Sequence, residues 1–276
     1  MQDTIKKAAV IGWPIKHSKS PLIHGYWISQ HKINGSYEAI ALSPDNFVSG
    51  IRELVAQGYR GCNVTIPHKE AALRLADSIS DRTRAIGAAN TLVFKDGQII
   101  ADNTDGIGFI NNLKQGAPSW NAESGAAVVL GAGGAARAII YALLQEGAPK
   151  VIVANRTVEK AIQLAKFFGE KVTAISMDKV PENLVGTQTL VNTTSLGMIG
   201  QPALEVDILP LPNTALVTDI VYNPLTTPLL KQAQGLGLKT VDGLGMLLHQ
   251  AVPGFEAWFG VCPKVDTTLR QIVLAG

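Results

Sequence analysis

The sequence has few of the features that mark secreted, metal-binding or membrane-spanning proteins. Its two cysteines, Cys62 and Cys262, lie far apart and have no Cys-x-x-Cys partner, so neither a disulfide framework nor a zinc site is indicated. No apolar run reaches the ~18 residues that a membrane-spanning helix needs. Only a short apolar run follows Lys6 and Lys7, so we expect no signal peptide. We therefore predict a cytoplasmic protein without a metal site.

The chain also has almost no excess of charge of either sign. The formal net charge of +2 over 276 residues is too small to favour binding to nucleic acid or to an anionic membrane. Apolar residues make up 46% of the chain and charged residues 17%, a balance that supports packed cores rather than disorder. The five histidines show no metal-ligand spacing, and we expect His24 and His31 to pack or to face solvent.

Residues 126–154 predict a strand, a glycine turn, a helix and a second strand. The apolar run 126–130 leads into Gly131-Ala132-Gly133-Gly134-Ala135-Ala136, and an apolar helical segment follows. In dinucleotide-binding folds such glycines permit the turn and let the backbone approach a pyrophosphate, which the helix N-terminus then binds. A purely structural glycine turn is the alternative. The second strand, at 151–154, favours dinucleotide binding.

The end of that second strand indicates which dinucleotide is bound. An NAD site commonly carries an acidic residue about 20 residues after the glycines. Here the strand ends instead in Asn155-Arg156-Thr157. A guanidinium suits a 2′-phosphate in charge and in fork geometry. The sequence predicts NADP, with an exposed arginine near a helix start as the alternative reading of Arg156.

Strands and helices alternate along the whole chain, which predicts an α/β fold of two domains. Residues 116–243 are expected to form a Rossmann-type, doubly wound NADP domain. Residues 1–115, completed by the C-terminal helices within 244–276, are expected to form an N-terminal α/β substrate domain. Asp96-Gly97 between two apolar segments predicts a hairpin at one edge of its sheet.

Polar residues of the first half follow predicted strands. Ser18 and Ser20 come after the first strand, and Thr65 and Lys69 come after the third. Ligands of open α/β sheets bind at the carboxyl ends of the strands, so these side chains are expected to share one crevice. Ser20 has an alternative role as the N-cap of a helix with Pro21 at its first position. Lys69 is less easily explained structurally, because a helix dipole disfavours an ammonium in the first turn.

These motifs resemble, in order and over nearly the whole chain, the signature blocks of the shikimate dehydrogenase family. The blocks are Ser18-Lys19-Ser20-Pro21, Asn63 to Lys69, Gly87 to Thr91, Asp102 to Gly106, Gly131 to Ala135, Asn155-Arg156-Thr157, Asp219 to Tyr222 and Asp242 to Met246. The resemblance implies reversible NADP-dependent hydride transfer between shikimate and 3-dehydroshikimate. In the direction of reduction, this reaction serves the biosynthesis of chorismate and the aromatic amino acids.

The resemblance also implies roles for individual residues. Lys69 and Asp105 would form the catalytic pair at the reacting hydroxyl. The residues that would bind substrate are Ser18, Ser20 and Tyr222 at the carboxylate, and Thr65, Asn90 and Gln250 at the ring hydroxyls. The residues that would bind NADP are Gly131, Ala132, Gly133, Gly134, Ala135, Asn155, Arg156, Thr157, Lys160, Ile220, Gly243, Met246 and Asp81.

Two alternatives remain open from the sequence. One is a quinate/shikimate or aminoshikimate dehydrogenase of the same family. The other is a non-catalytic ligand-binding homologue, against which the presence of both Lys69 and Asp105 argues. The expected partner is a small-molecule substrate, and the protein is expected to be a monomer or a homodimer.

Overall fold

The structure, a computed structural model, describes residues 4–276 and divides into two compact units. Unit 1 comprises the residues up to 104 together with 248–276, and unit 2 comprises 105–247. The predicted substrate domain starts at residue 1, and residues 1–3 lie outside the described part. The functional boundaries at residues 115 and 244 stay a prediction. No helix within residues 4–276 is long and apolar enough to cross a membrane.

Strands and helices alternate as the sequence pattern predicts. The strands are β1 (Lys6–Gly12), β2 (Gly35–Ala41), β3 (Tyr59–Val64), β4 (Ser78–Ile79), β5 (Thr91–Lys95), β6 (Gln98–Asp102), β7 (Ala126–Leu130), β8 (Val151–Asn155), β9 (Val172–Ser176), β10 (Thr187–Asn192), β11 (Leu216–Asp219) and β12 (Lys239–Val241). The helices are α1 (Ser20–Gln30), α2 (Phe47–Ala56), α3 (Lys69–Leu75), α4 (Asp81–Ile86), α5 (Asp105–Gly116), α6 (Gly134–Gln145), α7 (Val158–Phe168), α8 (Val180–Asn183), α9 (Pro228–Gly235), α10 (Leu244–Phe259) and α11 (Thr267–Ala275).

The sheet of unit 1 is mixed and has the strand order β2-β1-β3-β5-β6-β4. Strands β1, β2 and β3 are parallel, whereas β5 runs antiparallel to both β3 and β6. The predicted hairpin around Asp96-Gly97 is therefore present as β5 and β6. It does not form the edge of the sheet, because the short strand β4 pairs in parallel outside β6.

The sheet of unit 2 is parallel and has the order β12-β11-β10-β7-β8-β9. This is the doubly wound order of dinucleotide-binding folds, in which the chain reverses direction across the sheet between β7 and β10. The predicted α/β architecture with a Rossmann-type second domain is confirmed. Helix α5 also belongs to unit 2, where it packs closely on α6: a Cβ on Gly106 would lie 2.9 Å from the carbonyl oxygen of Ala138.

Alternate residues of β7 face two separate cores. Val129 and Ala127 pack with α5 and α6 in one hydrophobic cluster, whereas Val128 and Leu130 pack in a second cluster with residues that include Leu190 and Val217. Successive side chains of a strand point to opposite faces, so a strand covered on both sides must be apolar throughout. This double burial explains the unbroken apolar run before the glycine turn.

His24 lies fully buried on the inner face of α1, in the aromatic core of unit 1. Its ring stacks on Tyr37 at a centroid distance of 3.9 Å and also contacts Trp27, Phe255 and Trp258. Among residues 4–276 neither ring nitrogen has a hydrogen-bond partner. Burial lowers the pKa of His24 to about 3, although the nearby Asn63 side chain acts in the opposite direction. The folded protein therefore holds this imidazole neutral.

We predict that His24 makes the protein less stable as the pH falls below 6.5. The unfolded chain takes up a proton near the ordinary pKa of 6.5, whereas the folded chain does so only near 3. The stabilising contribution is therefore present above pH 6.5 and is lost progressively down to about pH 3. As the pH is lowered through this window, the free energy of unfolding should fall less steeply in His24→Phe than in the wild type. The two slopes should differ by up to about 1.4 kcal/mol per pH unit.

Urea unfolding at a series of pH values, followed by the fluorescence of Trp27 and Trp258, measures this difference. His24→Gln serves as the control, because it also cannot titrate but packs differently from phenylalanine. Both variants should show the same reduced slope even though their stabilities at neutral pH differ. If both keep the wild-type slope, His24 does not cause the pH dependence.

Candidate functional site

In unit 1, three neighbouring strands bring their polar ends to the same edge of the sheet. Strands β1 and β3 end there because they are parallel, and β5 begins there because it is antiparallel to β3. Asn90, which precedes β5, accepts the N–H of Val64 through its carbonyl oxygen at 2.8 Å. Its own N–H donates to the carbonyl of Asp102 at 3.0 Å. The ends of β3, β5 and β6 are thereby joined.

The loop after β1 carries the two serines expected at the substrate carboxylate. Helix α1 begins at Ser20 itself, and Lys19 occupies the N-cap position without a side-chain cap bond. The alternative reading of Ser20 as the cap is therefore wrong, since Pro21 follows at the second helical position. Ser18 Oγ instead accepts the N–H of Ser20 at 3.3 Å. Ser20 is buried at the start of α1 and Ser18 is half-buried.

Thr65 and Lys69 lie directly after β3. The N–H of Thr65 donates to Ile11 of β1 at 2.9 Å, and a Cβ on Gly12 would lie 2.6 Å from the Thr65 methyl group. Lys69 is half-buried at the first position of α3, and its carbonyl accepts the N–H of Ala89 at 3.0 Å. The structure thus places Lys69 beside the segment that leads into Asn90.

The residue before Lys69 fixes the start of α3. His68 is buried and stacks on Phe47 at a centroid distance of 4.6 Å. Its Nε2 lies 2.7 Å from the carbonyl oxygen of Leu42. Since a carbonyl can only accept, Nε2 carries the proton that donates in this bond. The turn that carries Lys69 is therefore held against the β2–α2 connection by both packing and hydrogen bonding.

Asn90 and Gln250 meet in a buried polar network that includes Thr104. Asn90 Oδ1 accepts the N–H of Thr104 at 2.9 Å, and Asn90 Nδ2 donates to Thr104 Oγ1 at 3.0 Å. Asn90 Nδ2 also lies 3.4 Å from Gln250 Oε1, and Thr104 Oγ1 donates to the Gln250 carbonyl at 2.7 Å. Two residues expected at the ring hydroxyls are thus held in one hydrogen-bonded group.

Three further polar residues support this edge, and the sequence motifs assigned no role to them. Asn63 is buried in β3, where its Oδ1 accepts from Tyr37 Oη at 2.7 Å and its Nδ2 donates to Thr91 Oγ1 at 3.3 Å. Thr91 Oγ1 in turn donates to Asn90 Oδ1 at 2.9 Å. Asn63 lies inside the quoted Asn63 to Lys69 block, so its position in that motif was the available signal. Burial raises the pKa of Tyr37 well above its ordinary value, so the phenol stays protonated.

Asp102 ends β6 and fixes the segment that leads to Asp105. Its carboxylate forms an ion pair with Arg82 and accepts from Ser80 Oγ at 2.6 Å and from the Asn103 N–H at 2.8 Å. Burial alone would raise the pKa of Asp102, but these hydrogen bonds and the guanidinium outweigh it and lower the pKa. Asp81 lies next to Arg82 at the first position of α4, with its side chain exposed.

In unit 2 the glycine turn lies where the strand order reverses. Gly131 follows β7 with φ +108°, and a Cβ there would lie 2.7 Å from Thr193 Oγ1, which follows β10. Thr193 Oγ1 donates to the carbonyl of Leu130 at 2.7 Å. Both the backbone conformation and the close neighbour therefore require glycine at position 131. This crossing of β7 and β10 is where dinucleotides bind in doubly wound sheets.

The next two glycines leave the start of α6 open. Gly133 and Gly134 are exposed, and a Cβ on either would meet no atom within 4 Å. Gly133 is the N-cap of α6 and supplies no side-chain cap bond. A twelve-residue helix thus begins with uncapped N–H groups beside free space, which fits the pyrophosphate of a dinucleotide in both shape and charge.

The residues expected at the 2′-phosphate lie together between β8 and α7. Asn155 ends β8, and its Nδ2 donates to the carbonyl of Thr157 at 2.7 Å, which closes a tight turn around Arg156. Arg156, Thr157 and Lys160 are exposed. Arg156, just before the N-cap of α7, and Lys160, in its first turn, form a positive surface suited to a phosphate group.

The loop after β11 is shaped by a buried carboxylate. Asp219 accepts from Asn192 Nδ2 at 3.0 Å, from the Val221 N–H at 3.0 Å and from Thr227 Oγ1 at 2.7 Å. Burial raises the pKa of Asp219, and these bonds act against that rise. The loop carries Ile220 and Tyr222, both half-buried, and burial raises the pKa of the Tyr222 phenol.

Gly243 and Met246 lie next to this loop and at the start of α10. Position 243 has no room for a side chain, because a Cβ there would overlap the carbonyl oxygen of Ile220. Asn112 Nδ2 donates to the Asp242 carbonyl at 2.6 Å and fixes the approach to α10. Met246 is buried in the core that covers β7. The structure therefore brings Ile220 and Gly243 into contact within unit 2.

Within each unit the expected residues fall into coherent groups. Unit 1 contains Ser18, Ser20, Thr65, Lys69, Asp81, Asn90 and Gln250. Unit 2 contains Asp105, the glycine turn, the Asn155 to Lys160 segment, Ile220, Tyr222, Gly243 and Met246. Asp105 is buried at the first position of α5, directly after Thr104. The contacts that these residues make with substrate and cofactor stay predictions.

Models of known protein families match most of the chain. Residues 10–92 match the shikimate dehydrogenase substrate binding domain. Residues 114–244 match the shikimate / quinate 5-dehydrogenase family, and residues 243–272 match the shikimate 5′-dehydrogenase C-terminal domain.

Individual relatives cover the chain from end to end. The shikimate dehydrogenase (NADP(+)) of Rhodospirillum rubrum is 53% identical over 97% of this chain and 96% of its own length. That of Mesorhizobium japonicum is 54% identical over 100% of this chain and 98% of its own length.

Solved structures of similar proteins share the fold. Shikimate 5-dehydrogenase from Thermus thermophilus, solved with NADP(H) and shikimate, has a TM-score of 0.88 and 35% identity, covering 98% of this chain and 99% of its own. Quinate dehydrogenase from Corynebacterium glutamicum, solved with NAD, has a TM-score of 0.91 and 30% identity, covering 99% of both chains. The chain belongs to the shikimate dehydrogenase family.

Proposed function

We propose that this protein is an NADP-dependent shikimate dehydrogenase that interconverts shikimate and 3-dehydroshikimate. The observation that carries the proposal is the polar edge of unit 1, where Thr65, Lys69 and Asn90 follow or precede adjoining strand ends. Gln250 of α10 lies beside them, with its Oε1 3.4 Å from Asn90 Nδ2. The relatives at above 50% identity that bear this name support both the reaction and the cofactor. The reduction direction would supply aromatic amino-acid biosynthesis.

The substrate is a polyhydroxylated ring acid, and one set of residues suits its carboxylate while another suits its hydroxyls. Ser18, Ser20 and Tyr222 offer hydroxyl donors for the carboxylate. Thr65, Asn90 and Gln250 offer a hydroxyl and two amides for the ring hydroxyls. Hydroxyls and amides both donate and accept, so they satisfy a polyol without placing a further charge in the cleft.

Lys69 and Asp105 are proposed as the catalytic pair at the hydroxyl that becomes a ketone. Bound NADP⁺ supplies the acceptor for the hydride that leaves the carbinol carbon. As that carbon is oxidised, its oxygen loses a proton, and the Lys69–Asp105 pair accepts it. The Lys69 ammonium also stabilises negative charge on the oxygen during the transfer. The same groups return the proton when the ketone is reduced.

The cofactor is proposed to lie on unit 2. Gly131, Ala132, Gly133, Gly134 and Ala135 would hold the pyrophosphate at the open start of α6. Asn155, Arg156, Thr157 and Lys160 would hold the 2′-phosphate. Ile220, Gly243 and Met246 would lie at the nicotinamide, and Asp81 of unit 1 would touch the cofactor or help close the cleft.

The family membership leaves a second candidate, a quinate/shikimate dehydrogenase. The similarity to a quinate dehydrogenase solved with NAD favours keeping this alternative. Quinate carries an additional hydroxyl beside its carboxylate, so the serine loop must tolerate that group. Arg156, with no acidic residue beside it, favours NADP over NAD. An aminoshikimate dehydrogenase or a non-catalytic homologue are the remaining alternatives.

We propose a cytoplasmic location and either a monomer or a homodimer. Both cysteines are free thiols, and Cys62 is buried in the core of unit 1. A free thiol and a soluble polar substrate are compatible with a reducing cytoplasm. Sedimentation of the purified protein measures the oligomeric state directly.

The proposed function is tested by steady-state kinetics with two substrates and two cofactors. We expect kcat/KM for shikimate with NADP⁺ to exceed the values for shikimate with NAD⁺ and for quinate with either cofactor. NADPH absorbance measures each rate. Turnover of quinate with NAD⁺ as the best pair would favour the second candidate, and no turnover with any pair would favour a non-catalytic homologue.

We predict that Arg156→Ala weakens NADP⁺ binding on the order of tenfold, since it removes a charge-assisted bond to the 2′-phosphate. NAD⁺ binding should hardly change, because NAD⁺ lacks that phosphate. Isothermal titration calorimetry with each cofactor measures both affinities. The matched control is Lys150→Ala, which removes an exposed cation from the opposite end of β8. Equal losses for both cofactors would refute the 2′-phosphate assignment.

We predict that Lys69→Met lowers kcat by roughly 10²–10⁴-fold, the range typical when an acid–base group is lost. Methionine keeps most of the length of the side chain but has neither the charge nor an exchangeable proton. NADP⁺ affinity should stay near the wild-type value, because the residues proposed to bind the cofactor, apart from Asp81, lie in unit 2. Stopped-flow absorbance and calorimetry measure the two quantities.

The control for Lys69→Met is Lys95→Met. Lys95 is an exposed lysine at the carboxyl end of β5. Because β5 is antiparallel to β3, this end of β5 lies away from the strand ends that carry Thr65, Lys69 and Asn90. Lys95→Met should leave kcat unchanged. Near-native turnover in Lys69→Met would remove the lysine from the mechanism and leave Asp105 as the candidate base.

A further inference from the structure

Thr104 is fully buried at the last position of unit 1 before the chain passes into unit 2. Its backbone N–H and its hydroxyl both form hydrogen bonds, and both bonds go to residues proposed to hold the substrate ring. The N–H and the hydroxyl are separate buried polar groups, and each finds its partner in one of these two residues.

The N–H of Thr104 fixes the orientation of the Asn90 amide. Because a backbone N–H can only donate, the Asn90 atom that lies 2.9 Å from it must be the oxygen Oδ1. The other end of the amide, Nδ2, then donates to Thr104 Oγ1 at 3.0 Å and points towards Gln250 Oε1 at 3.4 Å. Thr104 thus determines which end of Asn90 acts as the donor.

The hydroxyl of Thr104 fixes the main chain at Gln250 as well. Since Thr104 Oγ1 accepts from Asn90 Nδ2, its single proton is free to donate to the Gln250 carbonyl at 2.7 Å, the shortest bond that this hydroxyl makes. Gln250 lies in α10, two residues after the chain re-enters unit 1. One threonine therefore bonds both to the segment before β5 and to the helix that completes the unit.

We propose that Thr104 is a positioning residue for the substrate polyol. This inference rests on the proposed function. Thr104 holds the Asn90 amide in one orientation through its N–H and its hydroxyl, and it holds the main chain of α10 at the Gln250 carbonyl. The Asn90 amide and the backbone that carries Gln250 are then ordered before substrate arrives, so binding does not have to supply the cost of ordering them. The positioned groups are proposed to bind ring hydroxyls other than the one that is oxidised, so their loss should affect binding more than the chemical step.

The test replaces Thr104 with valine, which keeps the shape of the side chain but removes the hydroxyl. We expect KM and the calorimetric Kd for shikimate to rise about tenfold, kcat to change less than about threefold, and the Kd for NADP⁺ to stay the same. Thr104→Ser restores the hydroxyl and should restore shikimate binding. Thr104→Ala is a second variant without the hydroxyl, for use if buried valine disturbs folding.

The matched control is Thr187→Val. Thr187 is also buried, and its hydroxyl donates to the Asn183 carbonyl at 2.9 Å, but it begins β10 at the edge of the second sheet opposite the glycine turn. This control should lower thermal stability without raising KM. If Thr187→Val and Thr104→Val raise KM equally, or if Thr104→Val and Thr104→Ala leave KM unchanged, Thr104 has no positioning role.

The wild-type protein separates this inference from the proposed function. If the wild type binds and oxidises shikimate but the Thr104 variants behave like it, only the positioning role fails. If the wild type neither binds nor oxidises shikimate, the proposed function fails and the inference fails with it.

Discussion

The site of this protein depends on one constraint: polar residues must follow strands that end at the same edge of a sheet. In unit 1, β1 and β3 are parallel and end together, and the antiparallel β5 starts where they end. The backbone bonds from Val64 to Asn90 and from Asn90 to Asp102 fix that meeting point. Had β5 been parallel, Asn90 would lie at the opposite edge from Thr65 and Lys69. The mixed direction of the sheet is therefore what gathers the residues proposed to bind substrate.

In unit 2 the candidate site residues also lie at one edge of the sheet, but there the strands are all parallel. Every loop that follows a strand therefore lies at one edge, and the reversal of strand order between β7 and β10 opens a crevice there. Gly131 and Thr193 approach each other closely at this point, and the open space around Gly133 and Gly134 leaves the start of α6 accessible. On the same edge, Asp219 uses three hydrogen bonds to shape the loop that carries Ile220 and Tyr222. Backbone geometry places the residues proposed to bind the cofactor, and buried polar side chains hold the loops in shape.

The sequence predicted the elements whose signal is local. The apolar run before Gly131 and the Asp96-Gly97 turn are patterns read within a few residues of each other. Strand β4 and helices α4 and α8 were not predicted, because elements of two to six residues carry too few positions for a periodic pattern. The cap of α1 was misplaced by one residue, since serine suits both the cap and the first turn and local sequence does not separate them.

The polar networks could not be predicted, because they join residues distant in sequence. Thr104 and Gln250 are separated by 146 residues and Asn63 and Asn90 by 27, and no local pattern encodes such pairs. Their burial has an energetic consequence, since an amide removed from water costs free energy unless every donor and acceptor is paired. At this edge of unit 1 the candidate site residues and their neighbours pair with one another. The hydrogen bonds that make Asn63, Asn90 and Thr104 tolerable in a core are thus the same bonds that set the geometry of the site, so stability and function cannot be altered independently at these positions.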